Sequence, residues 1–161
     1  MDVGTTAALT ARLTLAGAFA YSAATKVAHQ GALARGLADF GVPRSRLVAR
    51  GLPPLEAGVA VVLVAVPGRA WPAYLAMAVL AVFTGAVVAS LAGGAPKPCP
   101  CFGPPGKDAR PVSAATVARN GYLLALGVIG SGSTDGASTA GGLAAAVVTV
   151  AVTLVAVRRY G

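Results

Sequence analysis

Cys99 and Cys101 are the only cysteines in the chain, set one residue apart in Pro98-Cys99-Pro100-Cys101-Phe102-Gly103. The chemistry open to such a pair is thiol–disulfide exchange. In extended backbone, residues i and i+2 project to the same side, and Pro100 biases Cys99 toward extended or polyproline geometry, so the two thiols can face each other. Fully extended, alternate Cα atoms are ~7 Å apart, at the upper edge of disulfide reach; closure needs a bend and gives a strained, oxidising bond. Such a bond suits a pair that forms and breaks in exchange, whereas a structural staple gains most from closing a long loop. Lys97, Lys107 and Arg110 add a positive field that favours thiolate, the attacking species. Spacing alone leaves two alternatives open. One is an inert, packed pair; the other is a zinc site, which needs three or four ligands and finds only His29 as an obvious addition, so no metal is expected.

A second set of polar residues stands at the margins of apolar segments: Lys26, Glu56 and the Arg119-Asn120 pair. A charge without a partner at that depth costs several kcal/mol, roughly, so Glu56 is expected to pair with Arg119 or Lys26. Such a pair can tune a nearby redox centre or simply fix helix register; the sequence does not choose between them.

The elements that must position these residues follow from composition. Of 161 residues, 56% are hydrophobic and 11% charged, and the mean hydropathy is +0.73. This is the composition of an all-α, polytopic membrane bundle, and it excludes a water-soluble enzyme, a disordered chain and a fibre. Four to five spans are predicted in a single integral membrane domain (1–161), at about 9–28, 52–66, 70–91, 112–129 and 139–157. Arg12 and Lys26, near the ends of the first, are expected to snorkel to the interfaces. A short interfacial helix fits the polar stretch before the second span, with Leu33 and Leu37 at helical spacing and Gly41 and Pro43 ending it. Pro53-Pro54 is expected in the first turn of the second span. Trp71 and Tyr74 suit the headgroup level at the start of the third. The segment 92–111 carries six of the eleven prolines and both cysteines, and no regular element is predicted there.

The net charge of +8 reads as membrane orientation and lipid contact. No basic stretch is interleaved with aromatics as a nucleic-acid platform would be, so no nucleic-acid partner is expected. If all five segments cross, Lys26, Arg35, Arg44, Arg46, Arg50, Lys97, Lys107, Arg110, Arg158 and Arg159 fall on one side and Arg69 and Arg12 on the other. The positive-inside bias then puts the cysteine loop at the cytoplasmic face of the cell membrane.

Arg12 and Lys26 around the first span, Glu56 behind Pro53-Pro54, Cys99-Pro100-Cys101-Phe102-Gly103 after the third and Arg119-Asn120 in the fourth occur in an order that resembles the methylamine utilisation protein MauE family, itself similar to DoxX-like membrane proteins. The likeness covers about residues 12–129, and C-x-C-F-G followed by R-N is its most specific part. It implies a helical membrane bundle of methylamine metabolism acting with a thioredoxin-like partner in maturing a disulfide-containing client, the small subunit of methylamine dehydrogenase. By position it makes Cys99 and Cys101 the redox pair of a thiol–disulfide oxidoreductase, Phe102 and Gly103 the residues that shape the loop, and Glu56, Arg119, Asn120 and Lys26 its support. The residues themselves call for no cofactor; the DoxX likeness admits a quinone near Glu56 and Arg119. Three departures stand out: Pro100, where many relatives carry glycine, the fifth apolar segment, and a charge count that conflicts with the extracytoplasmic client the resemblance implies. A non-catalytic subunit whose proline-rich loop docks a partner is the competing reading.

Overall fold

The computed structural model describes residues 3–39, 41–66, 68–92 and 113–132, which form five helices and, among these residues, no strand. They are α1 (Val3–Ala28), α2 (Gln30–Asp39), α3 (Ser45–Ala65), α4 (Trp71–Ala92) and α5 (Ala114–Ser131). The segment carrying Cys99, Cys101, Phe102 and Gly103, and the apolar stretch 139–157, lie outside the described residues.

The four long helices alternate in direction. At one end of the bundle Arg12 of α1 touches the carbonyls that close α3, begin the approach to α4 and close α5; fourteen residues on, about 21 Å along α1, Lys26 meets the interior of α3. Thus α1 and α4 run one way, α3 and α5 the other. α1 packs against both α3 and α5, α5 packs against α4, and α3 and α4 touch more thinly to close the ring. Leu15, Ala16 and Phe19 of α1, Val59, Ala60 and Leu63 of α3, Ala76 and Leu80 of α4 and Leu123 of α5 form the core. Gly127 lets α5 lie close to α4: a Cβ there would stand 2.4 Å from Met77 Cγ.

The pattern of burial is that of a protein in lipid. Leu13, Val61, Val64 and Val82 are more than half exposed, while Arg12, Lys26, Glu56 and Asn120 are buried. Large apolar side chains on the outside and paired charges within suit a hydrocarbon surround. α3 and α4 are each long and apolar enough to cross a bilayer.

α2 is the short helix expected between the first two spans. It buries Leu33 and packs on α3. It ends as predicted at Gly41, whose φ of 74° is the left-handed geometry a glycine adopts without strain. Gly41 N–H donates to Ala38 O (2.8 Å) and Val42 N–H to Leu37 O (3.0 Å), a Schellman closure, and Pro43 follows. The chain then enters α3 through Arg44, also left-handed at φ 53°.

Two expectations are corrected. The prolines are not in the first turn of the helix that holds the second apolar segment: α3 begins at Ser45 and runs through Pro53 and Pro54. The prolines remove two backbone donors, but Pro53 fills a buried position, and membrane helices tolerate the loss because neighbouring groups re-satisfy the freed carbonyls. Arg12 and Lys26 do not snorkel outward either. Both are about 2% exposed, because each finds internal oxygen partners that compete with the distant interface.

Candidate functional site

Four of the five buried polar side chains among the described residues, Ser22, Lys26, Glu56 and Asn120, gather toward one end of the bundle. Lys26 sits two residues from the end of α1, and its Nζ lies 2.5 Å from Glu56 Oε1 of α3, with the two side chains 2% and 0% exposed. Of the two partners open to Glu56, the structure selects Lys26. The ammonium also donates to Ser22 Oγ at 2.5 Å, one helical turn back on the same face. It stands 5.3 Å from the centroid of the Phe83 ring of α4, within cation–π range. One cation is thereby held from three directions, by α1, α3 and α4.

Beside it, α5 places Asn120 in full burial. Asn120 Nδ2 donates to Thr84 Oγ1 of α4 at 3.2 Å, and the threonine hydroxyl in turn donates to Leu80 O at 2.7 Å. Arg119, the neighbour of Asn120, is exposed and adds its positive charge to the field at Lys26. Of the supporting residues read from the sequence, Lys26 and Glu56 are in direct contact, Asn120 lies beside them on α5, and the charge of Arg119 is felt at Lys26.

Ser22, Phe83 and Thr84 were not anticipated. Ser22 was legible four residues before Lys26, and Thr84 as a hydroxyl inside an apolar run; the ring of Phe83 gives no signal of its own. Two acceptors of this cluster, Glu56 Oε2 and Asn120 Oδ1, are buried without a hydrogen-bond partner among the described residues. A buried acceptor in that state costs about 1–3 kcal/mol unless a donor reaches it, so the cluster is set to receive protons or hydrogen-bond donors. No grouping of three or more metal-ligating side chains occurs among the described residues.

At the other end Arg12 makes a second buried polar centre. Its Nε donates to Gly130 O at 2.9 Å, one Nη to Val66 O at 2.8 Å and the other Nη to Arg69 O. Val66 caps α3 and Gly130 is in the last turn of α5, where free carbonyls and the negative helix ends favour a cation. Gly130 permits the approach: a Cβ there would lie 3.2 Å from Arg12 Cγ. This guanidinium ties three segments together.

α4 ends at Ala92, beyond Thr84, and α5 begins at Ala114, ahead of Asn120, so the described chain leaves α4 and re-enters α5 at the Lys26 end; the sequence between them holds both cysteines. The family model described as methylamine utilisation protein MauE matches residues 4–133, spanning every described helix and the cysteine segment. The chain belongs to the MauE family. It is therefore a methylamine-utilisation-associated membrane protein, as the C-x-C-F-G and R-N motifs led one to expect. Within this MauE-family chain, Lys26, Glu56 and Arg119-Asn120 come from three separate stretches of sequence and are brought to one level by α1, α3 and α5. No curated protein and no solved structure gives a significant match.

Proposed function

We propose that this MauE-family protein carries out thiol–disulfide exchange through Cys99 and Cys101, working with a thioredoxin-like partner to support maturation of a disulfide-containing client. The observation that carries the proposal is the buried Lys26–Glu56–Asn120 layer at the end of the bundle where the helices leading to and from the C-x-C segment begin and end. The layer also holds two buried acceptors, Glu56 Oε2 and Asn120 Oδ1, that have no hydrogen-bond partner among the described residues.

The exchange needs no other reagent than a disulfide-bearing partner. One cysteine, as thiolate, attacks a sulfur of the partner's disulfide; that S–S bond breaks, a mixed disulfide forms and the partner's other sulfur leaves as thiolate. The second cysteine then attacks the mixed disulfide, closing Cys99–Cys101 and releasing the partner as a dithiol. Two electrons pass to the partner and two protons balance them; a client is oxidised by the reverse sequence. Phe102 and Gly103 shape the loop, and the Lys26–Glu56 pair with Asn120 supports it from the membrane side with fixed charge.

We further propose that α1 and α5 cross the membrane with α3 and α4, and that 139–157 adds a fifth span. The charges that lower the hydropathy of α1 are internal, on Glu56 and on helix-end carbonyls, so they do not oppose insertion. Arg35, Arg44, Arg46 and Arg50 stand at the Lys26 end and Arg69 at the Arg12 end, which on the positive-inside rule turns the cysteine segment to the cytoplasm.

The test is trapping. Cys99→Ser or Cys101→Ser, expressed singly, leaves one of the two mixed disulfides unresolved. A covalent adduct to a thioredoxin-fold protein, lost on reduction, is expected from one of the two variants. Full client maturation by the double serine variant would instead support a docking subunit without chemistry. The orphan acceptors Glu56 Oε2 and Asn120 Oδ1 favour a second reading, a DoxX-like subunit linked to a quinone, since quinol hydroxyls are donors of the kind they lack. Co-purified quinone displaced by Glu56→Gln would select it.

A further inference from the structure

A cleft of about 600 Å³ opens between α2 and the first turns of α3, lined by none of Lys26, Glu56 and Asn120. Arg35 of α2 and Arg46 and Arg50 of α3 line it together with Gln30 and Ser45, and none of its lining residues is acidic. Arg46 and Arg50 are four residues apart and so share one face of α3. The Arg35 guanidinium lies over Gly31, 3.8 Å from where a Cβ would stand, and that glycine lines the cleft too. No ion pair engages any of the three arginines among the described residues.

Three guanidinium groups on two helices, converging on a cleft with neutral donors and no carboxylate, have the chemistry of a phosphate site. Arginine presents planar paired donors that match phosphate oxygens, and the volume lies in the range of small-ligand sites. The cleft stands where α2 meets the start of a bilayer-crossing helix, and Leu47 beside it is 65% exposed, so an apolar chain has a surface to lie along. We infer that this cleft binds a phosphate group, the headgroup phosphodiester of an anionic phospholipid or a soluble phosphate having the same chemistry. The inference is independent of the thiol-exchange reading.

The experiment uses the full chain in nanodiscs of phosphatidylcholine, with or without phosphatidylglycerol, and native mass spectrometry to count retained lipid. A second arm titrates inorganic pyrophosphate into phosphatidylcholine-only nanodiscs and follows its phosphorus NMR linewidth. At about fivefold per arginine, R35Q/R46Q/R50Q is expected to lose at least tenfold in retained phosphatidylglycerol, while R69Q at the opposite end of the bundle keeps it. Pyrophosphate broadening that depends on the same three residues, without lipid selectivity, assigns the site to soluble phosphate. Equal behaviour of the triple variant and R69Q in both arms overturns the inference. Should the triple variant not fold, judged by its thermal transition, R46Q and R50Q singly decide, each with about a fivefold loss expected.

Discussion

Lys26 Nζ and Glu56 Oε1 stand 2.5 Å apart between α1 and α3, with the glutamate side chain wholly buried. Placing two charges inside an apolar bundle costs much of what their attraction returns, so the pair is poor as a source of stability. Its measurable consequence is an asymmetry between breaking and replacing it. Lys26→Met or Glu56→Leu alone strands the opposite charge and should cost about 3–5 kcal/mol. K26M/E56L together should melt above either single variant in detergent; a double variant as unstable as the sum of the singles would show that the pair is needed for folding itself.

Arg12 predicts a different hierarchy. Its three carbonyl partners lie on α3, the α3–α4 turn and α5, and each bond to a charged donor is worth about 1.5–3 kcal/mol. Arg12→Lys keeps the charge and loses the fork that reaches three oxygens at once. Hydrogen exchange at the C-terminal turns of α3 and α5 should therefore rise in Arg12→Lys and further in Arg12→Ala, with the first turns of α3 unchanged.

Gly127 tests the α4–α5 contact without touching charge. A methyl group there would run into Met77 Cγ and Sδ, so Gly127→Ala should destabilise the protein by an overpacking cost of about 1–3 kcal/mol, read as a lower melting temperature. Met77→Ala in the same chain should recover most of it. Failure of the rescue would mean that the two helices do not pack through this pair.

These sites also show what the sequence made legible. The bounds of the helices α4 and α5 fall within two residues of the apolar segments read at 70–91 and 112–129, because turn residues mark their ends. The start of α3 was displaced by seven residues because Pro53-Pro54 obeys a local preference for first turns that the packing of Pro53 overrides. Glu56 was seen to need a cation, and Lys26 and Arg119 were both within reach; only the antiparallel placement of α1 on α3 decides for Lys26. Arg12 was read against lipid and water alone. Its true partners are backbone oxygens at helix ends, which no side-chain pattern displays.

The central claim is that Cys99 and Cys101 cycle between dithiol and disulfide, and thiol alkylation tests it most directly. Membranes are treated with maleimide before and after reduction, and the intact mass of the chain is read, in wild type and in Glu56→Gln. The account predicts a wild-type population that gains two maleimides only after reductant, and an altered oxidised fraction when Glu56 is neutralised. Complete labelling of both thiols without reductant, in the wild type and the variant alike, would contradict it.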